Sequence, residues 1–197
     1  NGIHIEDIEK RPPHPTGKVF HIVQVASLNA AKKGQDILIK ALSSLKIRGI
    51  TNIDIAFIGA GNDEPKLKAL SEKLGVSQQV HFLGLKSRQY IYSHLKEYDL
   101  MCHPSRYEGF GLTVAEGVAA MLPILVPSEG GPFEIIKQGE LGYTFSSGDA
   151  NDCALQIEGI LKNYAEALQK TYPAHIYISQ HYSIKRMVAD YLIAYNQ

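Results

Sequence analysis

The sequence predicts an α/β fold in which helices cover both faces of a parallel sheet, with further helices at the C-terminal end. Three observations support this prediction. Between residues 19 and 142, runs of β-branched and apolar residues alternate with segments of helical periodicity. Beyond residue 149 the pattern is helical only. The 197 residues, 45% of them hydrophobic and 20% charged, are enough to bury a sizeable core.

Five segments are predicted to be strands, because apolar residues fill them and glycine, proline or serine follows. The first, VFHIVQVASL, is a nearly continuous apolar run, as expected of a strand that is covered on both faces. The predicted strands span residues 19–28, 52–61, 79–84, 99–105 and 123–128.

Five helices are predicted to lie between and after these strands, at residues 34–46, 64–75, 87–98, 111–120 and 131–142. In the second helix Pro65 occupies the first turn and Gly75 marks the end. Ser87 is placed to cap the third. Strands that alternate with helices in this way form a parallel sheet, and ligands bind beyond the carboxyl ends of its strands.

The chain is predicted to contain three parts. Residues 1–17 are rich in proline and read as an interdomain linker. Residues 18–182 form the main domain, and residues 183–197 form a helix with an apolar stripe that packs on this domain or on another one. Because the sequence does not begin with Met, we expect it to be part of a longer chain.

Composition and charge exclude several classes of protein. The 20 basic and 20 acidic side chains balance, and no basic run occurs, so we expect no nucleic-acid partner. No apolar stretch approaches the roughly 20 residues of a membrane span. The two cysteines, Cys102 and Cys153, are too few for a disulfide framework, so we expect a reducing, cytoplasmic location.

Glycine-rich loops at the carboxyl ends of the strands indicate an anion site. Gly109 and Gly111 lead into the helix at 111–120, and Gly130 and Gly131 lead into the next helix. A helix that begins after such a loop offers free backbone N–H groups and a positive dipole end. Lys33, just before the first helix, adds a full charge. For any single loop the glycines could serve turn geometry alone, but the convergence of several such loops on one rim favours an anion site.

Two glutamates, Glu108 and Glu116, enclose the first of these glycine loops, with seven residues between them. Glu116 lies about one turn into the helix and can accept hydrogen bonds from a pair of hydroxyls, as acidic residues do with ribose. Glu108 lies on the loop and can face a sugar. Each could instead be an ordinary surface glutamate, and a paired-carboxylate hydrolase is a competing interpretation.

The motifs around these residues resemble those of retaining glycosyltransferases of family 4, which carry an E-x7-E signature. HPSRYEGFGLTVAE contains that signature, and the other matching segments follow the family's order: NGIHIE, KKGQDILIKAL, FIGAGND, VHFLG, PSEGGPFEII, GELGYTF and YSIKRMVADYLIAY. The resemblance covers nearly the whole chain. It implies a Rossmann-like domain that is the C-terminal, donor-binding half of a GT-B fold.

The resemblance implies a role for each matching residue. Glu116 would bind the ribose of a nucleotide-sugar donor, Glu108 would contact the donor sugar, and Lys33 would neutralise the departing diphosphate, so that Glu108 and Lys33 are the catalytic candidates. The candidates for binding the sugar hydroxyls and the diphosphate are Phe110, Gly111, Leu112 and Thr113, with Gly84 and Leu85 at the edge of the base.

The family also implies the type of reaction. The anomeric configuration is retained, the leaving phosphate helps to deprotonate the acceptor, and no metal or other cofactor is needed. In accord with this, the sequence contains no Asp-x-Asp and no clustered metal ligands. The partners implied are the nucleotide-sugar donor and the protein's own N-terminal acceptor domain. Polysaccharide or glycoconjugate synthesis is the expected pathway, and any membrane contact, at the inner face, would be made by that other half.

One position departs from the family's pattern. Ser27 stands where an arginine usually precedes the phosphate lysine by six residues. A charge-assisted hydrogen bond contributes about 1.5–3 kcal/mol, so donor binding could be weaker here, unless Lys32 compensates. This departure keeps open a nucleotide-binding module without transferase activity. A sugar-nucleotide epimerase and a phosphorylase with the same fold are further alternatives.

Overall fold

A computed structural model of the chain describes residues 2–12, 17 and 19–195 and confirms the predicted α/β fold. Six parallel strands form one sheet in the order β3-β2-β1-β4-β5-β6. The strands are β1 (Phe20–Val25), β2 (Ile53–Ile58), β3 (Val80–Gly84), β4 (Leu100–Cys102), β5 (Ile124–Pro127) and β6 (Tyr143–Phe145). Since β1 lies at the centre, the strand order reverses between β1 and β4, where such sheets leave a crevice.

Helices cover both faces of this sheet. They are α1 (Ala30–Lys33), α2 (Gln35–Ile47), α3 (Glu64–Lys73), α4 (Arg88–His94), α5 (Leu112–Ala119), α6 (Gly131–Ile135), α7 (Ala150–Lys162), α8 (Tyr164–His181) and α9 (Ile184–Tyr195). Short 3-10 turns occur at Ile5–Asp7, Ser77–Gln79, Leu95–Glu97 and Lys137–Gly139. The Ser87 hydroxyl accepts a hydrogen bond from the Tyr90 N–H, so the predicted cap of α4 is confirmed.

The five predicted strands are present, but the sequence analysis missed β6. That strand has only three residues, too few for an alternating pattern to emerge, and it pairs along its whole length with β5. The prediction for residues 99–105 was too long, because β4 ends at Cys102 and the rest belongs to the loop that follows.

Two apolar layers form the core, one on each face of the sheet. Alternate residues of β1 enter opposite layers, with Ile22 packed among α2 and α7 and Val23 among α5 and α8. The fully buried Cys102 and Cys153 lie in the first layer as free thiols. Together the two layers fix the central strands, so the loops that leave β1 and β4 start from rigid points.

The predicted linker, residues 1–17, lies partly outside the described residues, which omit 1 and 13–16. Its described portion lies against the domain, with Ile3, Ile5 and Ile8 buried. The Ile3 N–H donates to the Tyr182 carbonyl at 2.8 Å, and the buried Arg11 guanidinium donates to Asp99 at 2.8 Å. The assignment of these residues to a linker between two domains stays a prediction.

The α9 helix leaves apolar side chains exposed. The larger ones are Val188, Tyr191, Leu192, Ile193 and Tyr195. None of its residues is buried, so within the part of the chain that is described this helix contributes little to the core. Its predicted docking on another domain remains a prediction.

Gly34, between α1 and α2, is predicted to be sensitive to substitution. Its φ of +68° is left-handed, and a Cβ there would lie 1.9 Å from the Pro104 carbonyl oxygen. Gly75 has the same φ with nothing within 4 Å, so it is a matched control. We expect Gly75→Ala to cost about 1 kcal/mol of unfolding free energy and Gly34→Ala about 2 kcal/mol more. Urea unfolding measures both, and equal costs would contradict the close contact.

Candidate functional site

An ion pair joins the loop after β1 to the loop after β4. Lys33, at the end of α1, places its Nζ 2.5 Å from Oε2 of Glu108. Each of the two side chains is about one-fifth exposed, at 21%. The pair therefore lies at the crevice where the strand order reverses, and it brings together the two residues predicted to be catalytic.

Main-chain contacts hold the same two loops together. The carbonyl of Lys32 accepts hydrogen bonds from the N–H groups of Arg106 and Tyr107, at 2.8 and 3.2 Å. The guanidinium of Arg106 donates to both carboxylate oxygens of Asp36, at 2.8 and 2.9 Å, and to the Ala30 carbonyl at 2.7 Å. Arg106 is therefore a bidentate clamp between α2 and the loop that carries Glu108.

Two fully buried glutamines support the loop that carries Lys33. Gln24 in β1 donates its side-chain N–H to the carbonyl of Lys33 at 2.7 Å. Gln35, at the start of α2, donates to the carbonyl of Ser27 at 2.9 Å. Both ends of the loop are thus tied to buried amides, which fixes its backbone relative to the sheet.

His103 lies behind Glu108, at the end of β4. Its ring is 1% exposed, and its Nε2 is 3.5 Å from Oε2 of Glu108. The His103 imidazole and the Lys33 ammonium lower the pKa of Glu108 to about 2, against the opposing effect of burial. Because Lys33 is 1.0 Å nearer than His103, we regard it as the stronger partner of the carboxylate.

A cavity of about 320 Å³ opens in front of this ion pair. Most of the predicted site residues line it: Ser27, Lys33, Glu108, Phe110, Gly111, Leu112 and Thr113, together with Val25, Ala26 and His103. Gly111, at a φ of 92°, turns the chain into α5, so the N-terminal end of that helix faces the cavity. Lys33 is the only lysine or arginine among the described residues that line it.

The second glycine loop packs directly on the first. The Gly131 N–H donates to the Glu108 carbonyl at 3.1 Å, and a Cβ on Gly131 would lie 2.5 Å from the Gly109 oxygen. On the far side of Glu108 a second cavity, of about 650 Å³, is lined by residues that include Lys32 and Glu129. Lys32 therefore lines a different cavity from Ser27.

Glu116 lies further along α5, where its carboxylate accepts a hydrogen bond from the Tyr92 hydroxyl at 3.1 Å. Burial raises the pKa of Glu116, while the Tyr92 hydroxyl and the Arg88 charge partly oppose that rise. Burial, with the charge of Glu116, also raises the pKa of Tyr92 to about 12, so this hydroxyl remains a donor. Asp7, Arg88, Gln89 and Tyr92 line an adjacent cavity of about 690 Å³.

Gly84 and Leu85 lie apart from the other predicted residues. Gly84 ends β3, and its carbonyl accepts the Gly59 N–H at 2.9 Å. Leu85 is 81% exposed. Neither lines the cavity in front of Lys33. They share the carboxyl edge of the sheet with the site but are separated from β1 by one strand.

Gln24, Gln35 and Tyr92 were not among the predicted site residues. Gln24 had a signal in the sequence, because it is a polar residue inside an otherwise apolar strand. The partner of Tyr92 could not be read from the sequence, since it depends on how α4 packs against α5. Among the described residues, no group of three or more His, Cys, Asp or Glu side chains could hold a metal ion. The described helices include none that is long and apolar enough to cross a membrane.

The ion pair predicts a pH-dependent loss of stability on removal of the Glu108 charge. The pKa of Glu108 falls from 4.5 to about 2 on folding, so its charge stabilises the fold above about pH 4.5, and this stabilisation is lost as the pH falls toward 2. We expect Glu108→Gln to lower the unfolding free energy by about 1–2 kcal/mol at pH 7, and by less at pH 3. Urea unfolding across this range measures the difference.

The matched control for that measurement is Glu140→Gln, which removes an exposed carboxylate paired with Lys137. Exposed ion pairs contribute little, so this variant should stay within about 0.5 kcal/mol of the wild type throughout. A Glu108→Gln deficit that is the same at pH 7 and pH 3 would contradict the proposed charge pairing.

Comparison with known proteins places the chain in a family. Residues 5–174 match the family described as glycosyl transferases group 1. EpsD of Bacillus subtilis is 37% identical over 139 residues, which are 71% of this chain and 35% of EpsD. The lipopolysaccharide glucosyltransferase WaaG of Escherichia coli K12 is 34% identical over 122 residues, 61% of this chain and 31% of WaaG. The chain thus spans about a third of the length of these relatives.

A solved structure shows the same fold. The Anabaena protein HepE, in complex with UDP and glucose, superposes with a TM-score of 0.84 at 22% identity, over 98% of this chain and 55% of HepE. The chain therefore belongs to the glycosyl transferases group 1 family and has the fold of a GT-B C-terminal domain.

Proposed function

We propose that this chain is the donor-binding half of a retaining, metal-independent glycosyltransferase of family 4, with Glu108 and Glu116 as its E-x7-E signature. The observation that carries the proposal is the cavity in front of the ion pair, where a lysine, a glycine loop and the start of α5 meet. Family membership supports it, as does the UDP bound to the structurally similar HepE.

The cavity in front of the ion pair suits the diphosphate of the donor. The first N–H groups of α5 have no partner within the helix, so those at Leu112 and Thr113 are available to phosphate oxygens. The Lys33 ammonium supplies the charge that a diphosphate needs, both in the bound donor and as the leaving group. Glu108, at the inner end of the cavity, is placed to contact the sugar that is transferred.

Glu116 suits the ribose of the donor. The Tyr92 hydroxyl donates to one of its oxygens and leaves the other free to accept from a hydroxyl. Since the carboxylate is half-buried, its bonds to ribose hydroxyls would be stronger than they are in water. The large cavity beside Tyr92 provides room for the rest of the nucleoside.

Ser27 makes this site less positive than the family pattern implies. The residue lines the cavity, but its hydroxyl carries no charge. Lys32, on the other side of Glu108, does not line this cavity. Lys33 thus bears most of the neutralisation of a bound diphosphate, and we expect its removal to weaken binding strongly.

The acceptor would be bound by an N-terminal domain that is not part of this sequence. The exposed apolar face of α9 provides a surface for that domain, and the proline-rich segment before residue 18 would be the connection. On this basis the chain binds donor but does not turn it over alone. We place the full protein in the cytoplasm, in polysaccharide or glycoconjugate synthesis, with any contact to the inner membrane face made through its other half.

Calorimetric titration of the chain with UDP, GDP and ADP tests the proposal. We expect one of these nucleotides to bind, with an affinity unchanged by EDTA. Glu116→Gln and Lys33→Met should each weaken binding about tenfold or more, because each removes a charge-assisted contact. The 2′-deoxy form of that nucleotide should bind the wild type more weakly, since one of the ribose hydroxyls is absent. For the same reason, Glu116→Gln should hardly change the affinity for the 2′-deoxy form.

The matched controls are Glu72→Gln and Lys162→Met, which remove the same charges from exposed positions on α3 and α7. Both should bind the nucleotide like the wild type. The absence of binding by all three nucleotides would contradict the proposed function, and so would a loss of binding on addition of EDTA.

A further inference from the structure

His103 is a buried histidine with an incomplete set of hydrogen bonds. Its Nε2 is 3.5 Å from Glu108, beyond an ordinary hydrogen bond, and its Nδ1 has no partner among the described residues. Leaving a buried polar group unpaired costs free energy, so such a group in a native fold needs an explanation. Its place in the wall of the proposed donor cavity suggests that the explanation is functional.

Two nitrogen groups of the site, one from Lys33 and one from His103, face the same carboxylate oxygen. Oε2 of Glu108 is 2.5 Å from the Lys33 ammonium and 3.5 Å from the His103 ring. In the structure Lys33 is therefore engaged with Glu108. A diphosphate that entered the cavity would compete with Glu108 for this lysine, and it would place further negative charge beside the carboxylate.

The loss of its Lys33 partner costs Glu108 considerable free energy unless another group replaces the lysine. The Glu108 side chain is only 21% exposed, and a half-buried carboxylate without a partner is strongly disfavoured. Among the described residues, His103 is the second side chain in range of an ion pair with it. Strand β5 fixes the backbone of His103, because the His103 N–H donates to the Leu125 carbonyl at 2.9 Å. The ring therefore already lies beside the carboxylate.

We propose that His103 is a positioning residue, which holds the carboxylate of Glu108 when a donor diphosphate draws Lys33 away. This inference rests on the proposed function. A shift of well under 1 Å would bring Nε2 within ordinary hydrogen-bond distance of Oε2. The ring then donates its Nε2 proton, and Glu108 keeps its place beside the donor sugar while Lys33 binds phosphate.

The proposal explains three features together. It gives the buried ring a partner in the donor-bound state. It also explains why that ring lies on the buried side of Glu108, away from solvent. It also lets one lysine serve both states, in a cavity where Ser27 supplies no second charge. Without His103, binding of the diphosphate would have to leave Glu108 unpaired or share Lys33 between two anions.

A double-mutant cycle on the chain tests the proposal, with nucleotide affinity measured by calorimetry using UDP, GDP or ADP, whichever binds. We expect His103→Leu to weaken binding about five- to tenfold, since Lys33 is then retained by Glu108. In the Glu108→Gln background, where Lys33 has no carboxylate partner, the same change should alter the affinity less than twofold.

His103→Gln should restore binding to within about threefold of the wild type, because its amide keeps an N–H donor. His175→Leu is the control, since it removes a buried histidine that bonds to the Ala119 carbonyl, away from the site. It should leave nucleotide affinity unchanged. Thermal unfolding of each variant checks that it is folded at the temperature of the titration.

Equal losses of affinity from His103→Leu in the two backgrounds would overturn the proposal, because they indicate packing alone. No loss in either background would overturn it as well. If the wild type binds none of the three nucleotides, the proposed function fails and the inference fails with it. If the wild type binds and Lys33→Met weakens binding, the proposed function stands whatever the His103 variants show.

Discussion

The ion pair between Lys33 and Glu108 is the contact on which the arrangement of the site depends. It joins the loops that leave β1 and β4, the two strands between which the sheet order reverses. The Arg106 clamp, the buried glutamines and the close approach of Gly34 to Pro104 hold the same two loops in register. Much of the polar structure at this edge of the sheet thus serves to fix one lysine opposite one carboxylate.

This arrangement has a direct chemical consequence. A lysine that is already paired with a carboxylate is positioned for an anion but must exchange partners to bind it. This exchange costs little free energy only if the carboxylate keeps a hydrogen-bond donor. That requirement links Lys33 and Glu108 to the buried ring of His103. On the proposed function, the polar groups of the crevice form one network in which Lys33 pairs either with Glu108 or with a donor diphosphate, and the fold supplies both sets of partners in advance.

Much of this account could be predicted from the sequence, for physical reasons that can be named. The core strands can be recognised because strands covered on both faces have nearly continuous apolar sequences. The loops of the site can be recognised because glycine marks positions where the backbone approaches another group closely. Lys33, Glu108 and the glycines of their loop were predicted from such local signals, whereas Phe110, Leu112 and Thr113 were implied by the family resemblance. All of them except Gly109 line one cavity. The three-residue β6 gave too short a pattern to detect.

The remaining features depend on contacts between distant parts of the chain. The Tyr92 hydroxyl reaches Glu116 only because α4 packs beside α5, and this contact cannot be predicted from the spacing of the two residues in the sequence. Gln24 is a polar residue in an otherwise apolar strand, but its partner, the Lys33 carbonyl, lies in a loop whose path follows from tertiary packing. His103 lies in the predicted strand at 99–105, but its burial and its distance from Glu108 do not follow from the sequence.

A crystal structure of the chain with a bound nucleoside diphosphate would show whether Lys33 exchanges Glu108 for phosphate. We expect phosphate oxygens beside the Lys33 ammonium and the N–H groups of Leu112 and Thr113, ribose hydroxyls on Glu116, and the Glu108 carboxylate on His103. A nucleotide bound away from this cavity would contradict this expectation. So would a bound diphosphate that leaves Lys33 paired with Glu108 as it is in this structure.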